Sequence, residues 1–154
     1  MTIIAAMTAD RVVGKNNRMP WHISEEFKHF RKTTMGHALV MGRKTFESVG
    51  GKPLPKRYNI VVSRSMPKTD GVDVCRTFDE AVEKAKSYGV ETFIGGGVEI
   101  YKQALPIADR MILSYVAGHY DGDAYFPLFD ESGWLVVKEE IHPEFRVVYY
   151  VRKV

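Results

Sequence analysis

A glutamate on an apolar helix face is the residue of this sequence whose setting most suggests chemistry. Helical spacing predicts a helix from Ser24 to about Gly36, with Ser24 as the N-cap because a serine hydroxyl can accept hydrogen bonds from free first-turn amides. The apolar stripe of that helix comprises Ile23, Phe27 and Phe30. Glu26 falls within the stripe, and its position requires an explanation because an unpaired carboxylate is costly to bury.

Two explanations for Glu26 stay open on helix periodicity alone. The helix macrodipole favours acids in the first turn, which accounts readily for Glu25. Glu25 shares the solvated side of the helix with Lys28, His29 and Lys32. The alternative is that Glu26 faces a ligand, which its apolar neighbours and the nearby Trp21 favour.

Glycines or basic residues follow three of the predicted strands. The segments are residues 41–45, 62–65 and 94–97. In a parallel sheet these segments lie at the same edge. Helix N-termini and glycine backbone at that edge can bind phosphate closely. The positive charges of Arg43, Lys44 and Arg64 would favour a ligand with several phosphates. The pattern favours a dinucleotide site, although neither the Rossmann nor the Walker fingerprint is present. A tight turn between strand and helix remains the alternative for the glycine triplet.

Composition narrows the class of protein. A chain of 154 residues with 45% hydrophobic and 27% charged residues is typical of one globular domain, residues 1–154. A net charge of +3 suits small anionic molecules rather than nucleic acid. The single cysteine, Cys75, excludes an internal disulfide and is predicted to be a buried strand residue. The absence of a signal peptide or a membrane-length apolar run leads us to expect a cytoplasmic protein without membrane partners.

Apolar runs alternate with helical periodicity along the chain. Strands are predicted at residues 3–7, 38–41, 59–63, 72–75, 91–94, 110–116, 134–141 and 145–151. Helices are predicted at residues 24–36, 43–49, 77–89 and 98–105, the third with a capping box formed by Thr77 and Glu80. This alternation predicts a three-layer α/β domain with a mostly parallel sheet and an antiparallel C-terminal hairpin.

Several short motifs in this chain occur in a family-specific order. They are residues 4–6, residues 12–14, residues 19–21 with Glu26, residues 40–48, residues 53–55 with Arg57, residues 94–97 with Ile100 and Tyr101, and Gly122 and Asp123 with Phe126 and Pro127. In this order the chain resembles the dihydrofolate reductase family over nearly its whole length. The resemblance implies a central eight-stranded mixed sheet with about four helices. It also implies a monomer without a metal ion.

The activity implied by the resemblance is NADPH-dependent reduction of 7,8-dihydrofolate to 5,6,7,8-tetrahydrofolate. Hydride would pass to C6 of the pterin and a proton to N5, in support of one-carbon and thymidylate metabolism. Two alternative functions fit fewer of these residues. A reductase of the same fold acting on a pyrimidine precursor of riboflavin has no reason to keep Trp21, Glu26 and Arg57. A non-catalytic nucleotide-binding module would have no use for Glu26.

The resemblance assigns the substrate side of the site. Glu26 would hold the pterin 2-amino group and N3, and would assist protonation through a water that Trp21 helps to hold. Burial should raise the pKa of Glu26. Tyr101 would steady positive charge on the nicotinamide, and Arg57 would bind the α-carboxylate of the glutamate tail. The other expected substrate contacts are Ile4, Ala6, Phe27, Phe30, Val49, Leu54, Ile94 and Ser114.

The resemblance also assigns the cofactor side. A cis peptide is expected between Gly95 and Gly96, Arg64 is expected to bind the 2′-phosphate, and residues 17–19 are expected to form a lid over the nicotinamide. The expected cofactor contacts are Ala6, Val13, Gly14, Met19, Gly42, Arg43, Lys44, Thr45, Ser63, Arg64, Ile94, Gly95, Gly96, Gly97, Val98 and Tyr101.

Four residues depart from the usual family pattern. Bacterial members of this length usually carry aspartate in place of Glu26, leucine in place of Phe27 and threonine in place of Ser114. These three differences lead us to expect altered affinity for antifolate inhibitors such as trimethoprim. Val98 stands where some members carry an arginine that contacts a cofactor phosphate.

Overall fold

Ten strands and four α-helices make up the computed structural model, which describes all residues 1–154. The strands are β1 (Thr2–Thr8), β2 (Val12–Gly14), β3 (Ala38–Gly42), β4 (Tyr58–Val62), β5 (Val72–Cys75), β6 (Thr92–Ile94), β7 (Arg110–Val116), β8 (Ala124–Tyr125), β9 (Trp134–Ile141) and β10 (Phe145–Arg152). The helices are α1 (Ser24–Thr34), α2 (Arg43–Ser48), α3 (Phe78–Ser87) and α4 (Val98–Ala104), with a 3-10 turn at Glu131–Gly133.

Eight of these strands form one mixed sheet in the order β5-β4-β3-β6-β1-β7-β10-β9. All pairs from β5 to β7 are parallel, and β10 runs antiparallel to both β7 and β9. The predicted sheet and its C-terminal hairpin are therefore confirmed. The strands β2 and β8 form a separate antiparallel pair that periodicity did not predict, because segments of three and two residues are too short to show a pattern.

Helices cover both faces of the sheet, which confirms the three layers. One face of β1 contributes Ile3, Ala5 and Met7 to the core cluster that α3 and α4 complete. The opposite face contributes Ile4 to the cluster that contains Phe46 of α2 and contacts Phe30 of α1. Strands buried on both faces appear in sequence as continuous apolar runs, which is why periodicity located them.

The predicted serine cap of α1 is wrong. Ser24 is the first helical residue, and Ile23 occupies the cap position without a side-chain hydrogen bond. The carbonyl of Ile23 accepts hydrogen bonds from the amides of Glu26 and Phe27 at 3.1 and 3.2 Å. The Ile23 side chain is only 5% exposed and packs in the cluster that contains Trp21. Tertiary packing therefore determines where this helix begins, and the helix ends at Thr34 rather than Gly36.

The capping box predicted for α3 forms with one difference, because the Glu80 carboxylate bonds to the amide of Arg76 rather than to that of the cap residue Thr77. The Thr77 hydroxyl accepts a hydrogen bond from the Glu80 amide at 3.1 Å, and a Glu80 carboxylate oxygen accepts one from the Arg76 amide at 3.1 Å. Cys75 is buried at the end of β5 with a free thiol, as predicted. None of the helices combines the length and the apolar character needed to cross a membrane.

Candidate active site

Glu26 is a buried carboxyl group on the face of α1 that packs against the sheet. Its side chain is 5% exposed, whereas the preceding Glu25 is exposed to solvent. Burial raises the pKa of Glu26 from its ordinary value of 4.5 to about 7, and hydrogen bonding to the Ser114 side chain acts in the opposite direction. A carboxyl group with a pKa near 7 can gain or lose a proton at neutral pH. The explanation of Glu26 as a surface acid is therefore wrong.

Ser114 links Glu26 to the centre of the sheet. It lies in β7, is 1% exposed and pairs in register with Ala6 of β1. Trp21 lies in the apolar cluster that Ala6 contacts, and its indole Nε1 is buried without a hydrogen-bond partner in the protein. A buried donor of this kind indicates a place where a ligand or an ordered water accepts a hydrogen bond.

Tyr101 approaches the same region from α4. Its hydroxyl donates a buried hydrogen bond of 2.9 Å to the carbonyl of Ile4. Burial raises the pKa of Tyr101, and the nearby Glu26 carboxyl raises it further. The phenol therefore stays protonated. The Glu26 carboxyl group of α1 and the Tyr101 phenol of α4 therefore lie close enough to interact electrostatically.

The glycine triplet lies directly against the end of β3. The Gly42 amide donates a hydrogen bond of 2.7 Å to the Gly96 carbonyl, and the Gly95 amide donates one of 2.8 Å to the Val40 carbonyl. The cis peptide joins Gly96 and Gly97, so the expectation of one between Gly95 and Gly96 is wrong. Gly95 still bonds to β3 as an extension of the sheet ladder, and the chain turns one residue later.

Side chains at the last two of these glycines would obstruct the strand end. Gly96 has a φ of +117°, and a Cβ atom there would lie 3.2 Å from the Tyr101 hydroxyl. A Cβ atom on Gly97 would lie 3.2 Å from the Thr45 hydroxyl. Close packing against Tyr101 and Thr45 therefore requires glycine at these two positions. We call the bare backbone of Gly95, Gly96 and Gly97 the glycine cradle, since backbone without side chains can let a phosphate approach peptide groups closely.

Basic side chains extend from this cradle toward the edge of the sheet. Arg43 makes only a loose ion pair with Glu47, at 3.7 Å. Lys44 and Arg64 are exposed and form no salt bridge. Arg64 follows β4, which lies two strands from β6, so the charges are spread along the edge rather than gathered at one point. An elongated ligand with separated anionic groups fits this distribution.

Arg57 occupies the other end of the site. Its Nε donates to the Pro55 carbonyl at 3.0 Å, and its Nη1 donates to the Thr34 hydroxyl at 3.3 Å. Burial lowers the pKa of Arg57, and the neighbouring charge of Arg31 lowers it further. The structure thus brings together two guanidinium groups near the end of α1. No role for Arg31 could be predicted, because nothing in the sequence shows that the segment with Arg57 folds against the last turn of α1.

The expected lid is a tight hairpin rather than an irregular loop. Lys15 and Arg18 exchange two backbone hydrogen bonds, of 2.7 and 3.0 Å. Between them Asn16 and Asn17 have φ values of +51° and +62°, the geometry of a two-residue primed turn. The Asn16 amide also donates a hydrogen bond of 3.0 Å to the Asp123 carboxylate, which ties the hairpin to the segment preceding β8.

Comparison with known proteins identifies the family. The profile described as dihydrofolate reductase matches residues 1–152. The chain belongs to the dihydrofolate reductase family. It is 40% identical to dihydrofolate reductase type 3 of Salmonella typhimurium over 144 residues, which cover 93% of this chain and 88% of that protein. It is 41% identical to the dihydrofolate reductase of Bacillus subtilis over 142 residues, which cover 91% of this chain and 83% of that protein.

A solved structure is similar over the whole fold. The dihydrofolate reductase from Enterococcus faecalis complexed with NADP(H) and RAB-propyl superposes with a TM-score of 0.91 and 30% sequence identity. The match covers 99% of this chain and 96% of that one.

Most of the apolar residues that the dihydrofolate reductase resemblance predicted for the site are buried or half-buried. Ile4 belongs to a buried cluster that Phe30 and Leu54 contact, and Ile94 is fully buried at the end of β6. The exceptions are Val49 and Met19, which are 39% and 37% exposed and belong to no buried cluster. Phe27 is half-buried, with its ring 5.2 Å from that of His22.

The remaining predicted cofactor contacts lie in β2, in α4 and directly after β4. Val13 packs against the main core cluster, and the Gly14 carbonyl accepts a hydrogen bond of 3.0 Å from the Asp123 amide. Val98 is the first residue of α4 and is half-buried. The Ser63 hydroxyl accepts hydrogen bonds from two following amides, so it is engaged within its own turn.

His29 differs from its expected position. The sequence placed it on the solvated side of α1, but it is half-buried and its Nε2 is buried without a partner. Burial lowers its pKa, the Glu140 carboxylate opposes this effect and His142 adds to it. The C-terminal hairpin covers this side of α1, and helix periodicity alone could not reveal a neighbour so distant in sequence.

Proposed function

We propose that this protein catalyses the NADPH-dependent reduction of 7,8-dihydrofolate to 5,6,7,8-tetrahydrofolate. Membership of the dihydrofolate reductase family supports the reaction class. The observation that carries the proposal is the buried Glu26, whose pKa of about 7 suits an acid that acts on a pterin at neutral pH. A module that only binds nucleotide would gain nothing from burying a carboxyl group there.

In this proposal Glu26 binds and orients the pterin ring. Its two oxygens accept hydrogen bonds from the 2-amino group and N3, and Ser114 steadies the carboxyl group. Trp21 donates its unpartnered Nε1 to the water that delivers a proton to N5. Bound NADPH supplies the hydride that C6 receives. Tyr101, held to the Ile4 carbonyl, places its ring and dipole beside the nicotinamide.

The glutamate tail of the substrate is assigned to the two guanidinium groups. Arg57 binds the α-carboxylate, since its contacts with Pro55 and Thr34 fix the plane of its donors before the substrate arrives. Arg31 supplies the second positive charge for the tail. The benzoyl group packs on the apolar residues Ile4, Phe27, Phe30, Val49, Leu54 and Ile94, with Ala6 beneath the pterin.

The cofactor is assigned to the carboxyl edge of the sheet. The cradle at Gly95, Gly96 and Gly97 receives the pyrophosphate with Gly42, Val98 and the side chains of Arg43, Lys44 and Thr45. Arg64, beside Ser63, binds the 2′-phosphate and favours NADPH over NADH. The lid hairpin covers the nicotinamide through Val13, Gly14 and Met19.

Two further properties belong to this proposal. The protein acts as a cytoplasmic monomer that supports thymidylate and one-carbon metabolism. The longer acid Glu26, the bulkier Phe27 and the smaller Ser114 alter the fit of diaminopyrimidine antifolates. A trimethoprim inhibition constant equal to that of an aspartate-type relative would contradict the second statement.

Absorbance at the NADPH band tests the reaction. Addition of dihydrofolate is expected to consume NADPH, whereas the pyrimidine precursor of riboflavin is expected to leave it unchanged. The Glu26→Gln variant should lose about 100-fold or more in kcat at pH 7 while NADPH affinity changes by less than about twofold. Glu25→Gln, in the same helix turn but exposed, is the matched control. Turnover of Glu26→Gln equal to that of the control would refute the assigned role.

A further inference from the structure

Arg76 binds the backbone of the segment that carries Arg64. Its Nη1 donates hydrogen bonds to the carbonyls of Ser63 and Met66, at 3.0 and 2.7 Å. These two carbonyls flank Arg64 in the chain. Hydrogen bonds from a charged donor are about twice as strong as neutral ones, so one guanidinium holds both ends of residues 63–66.

Arg76 is itself fixed at its backbone. It lies between the end of β5 and the start of α3, and its amide donates a hydrogen bond of 3.1 Å to the Glu80 carboxylate. Glu80 in turn belongs to the capping box with Thr77. The anchor point of the Arg76 side chain is therefore part of the first turn of α3, which packs on the main core through Phe78 and Ala81.

Residues 63–66 are also held by the buried side chain of Met66, which packs in a core cluster, and by hydrogen bonds at Ser63. The Ser63 hydroxyl accepts hydrogen bonds from the amides of Ser65 and Met66 at 3.3 and 3.0 Å, and the Ser63 amide donates one of 2.9 Å to the Cys75 carbonyl. The side chain of Arg64 is exposed and makes no hydrogen bond or salt bridge within the protein. The path of the backbone therefore sets where this side chain starts, and no contact within the protein holds its charge elsewhere.

We propose that Arg76 is a positioning residue for recognition of the 2′-phosphate of NADPH. By holding the carbonyls of Ser63 and Met66, it keeps residues 63–66 in the conformation that presents Arg64 to the phosphate. This inference rests on the proposed function, in which Arg64 binds that phosphate. Ordering the segment before the cofactor arrives lowers the entropy cost of binding, and only a ligand that carries the 2′-phosphate gains from it.

Equilibrium binding of NADP⁺ and NAD⁺, followed by tryptophan fluorescence without turnover, tests this inference. Arg76→Met should weaken NADP⁺ binding by about tenfold and NAD⁺ binding by less than about twofold. Arg64→Met should show the same selectivity. In the Arg64→Met background, Arg76→Met should change NADP⁺ affinity by less than about twofold, because residues acting through one another are not additive.

Amide hydrogen exchange provides a readout that does not depend on the cofactor. In the free protein, Arg76→Met should increase exchange at the Ser65 and Met66 amides, which the ordered turn protects. Lys68→Met is the matched control, since Lys68 is an exposed cation close by that bonds to nothing in the segment. It should alter neither the exchange nor the preference for NADP⁺ over NAD⁺.

The possible outcomes are distinct. If Arg76→Met weakens NADP⁺ binding equally with and without Arg64, Arg76 contacts the phosphate directly and the positioning role is overturned. If only Arg64→Met changes the preference, the inference fails while the proposed cofactor site stands. If neither does, the proposed 2′-phosphate site itself fails. If Arg76→Met does not fold, Arg76→Lys is compared with the wild type instead. Wild-type NADP⁺ affinity with faster exchange at the Ser65 and Met66 amides would show that charge alone matters and would overturn the inference. Weaker NADP⁺ binding together with faster exchange would support it.

Discussion

Glu26 has a pKa near neutral pH because its surroundings do little to stabilise the charged carboxylate. The side chain is 5% exposed, and the Ser114 side chain is the only partner that favours the charged form. Neither Arg31 nor Arg57 contributes to the pKa of Glu26. The cations near the end of the helix that carries Glu26 therefore do not lower its pKa.

The pH dependence of stability gives a direct test of this burial. The pKa of Glu26 is about 7 in the folded protein, above its ordinary 4.5, so the folded state favours the protonated form. Stability from this group is complete below pH 4.5 and is lost as the pH rises toward 7. Glu26→Gln carries no such penalty, so relative to wild type it should gain about 3 kcal/mol in unfolding free energy between pH 4 and pH 8. Urea denaturation measures the unfolding free energies of both proteins. If these changed in parallel between pH 4 and pH 8, the burial of Glu26 would not have the predicted effect.

At the scale of elements, the sequence predicted which strands and helices exist better than it predicted where each one begins and ends. Strands such as β1, β3 and β4 were located because their residues form a buried apolar run, whereas β9 is largely exposed and was located as the partner of β10 in a hairpin. The capping box of α3 was found because both of its partners are local in sequence. The start of α1 was missed because Ile23 is held by the packing of Trp21, Phe145 and Val147, which no local rule contains.

Two reasons for glycine in the glycine cradle, backbone strain and steric contact, can be tested separately. Gly96 and Gly50 have similar φ values, +117° and +113°, but only Gly96 would place a Cβ atom against a neighbour, the Tyr101 ring. Both alanine variants should lose about 1–2 kcal/mol to backbone strain. Gly96→Ala should lose about 2 kcal/mol more, because Tyr101 must move and its bond to Ile4 weakens. Equal melting temperatures for the two variants would contradict the steric part of this account.

The lid hairpin is held by one carboxylate outside it. The Asp123 carboxylate accepts a hydrogen bond from the Asn16 amide. Asp121, two residues earlier, has an oxygen 3.5 Å from Nε2 of the exposed His119 and makes no bond to the hairpin. Asp123→Ala should release the hairpin and slow the hydride step by about tenfold, with a smaller effect on folate affinity. Single-turnover kinetics measure that step. Asp121→Ala serves as the control, and a similar slowing in both variants would show that charge near the lid, rather than the Asn16 bond, is responsible.

At the scale of the whole molecule, the fold arranges its charges unevenly. Lys28, Lys102 and Arg146 are neutralised by neighbouring acids, while Lys44 and Arg64 at the carboxyl edge are not. The net charge of +3 gave no hint of this arrangement. The parallel strand order, by contrast, was enough to predict that the basic strand ends share an edge, so this arrangement was accessible from the sequence. The Arg31–Arg57 pair was not, because it depends on a long-range contact.

Arg152 joins the last strand of the sheet to the helix that carries Tyr101. Its Nε donates to the Ala108 carbonyl at 2.8 Å and its Nη2 donates to the Leu105 carbonyl, just beyond the C-terminus of α4. The guanidinium also lies over the Trp134 ring, 4.4 Å from its centroid. A cation at a helix C-terminus complements the dipole and binds carbonyls that the helix leaves unpaired.

Replacing Arg152 should therefore weaken the whole fold. Arg152→Met is expected to lower the unfolding free energy by about 3 kcal/mol, since two charge-assisted hydrogen bonds and a cation–π contact are lost. Arg146 is the matched control, because it lies on the same strand, stacks over Tyr115 at 4.9 Å and pairs with Glu139 at the surface. Arg146→Met should cost about 1 kcal/mol or less. Urea denaturation monitored by fluorescence measures both, and equal losses with equal m-values would show that Arg152 does not hold α4 to the sheet.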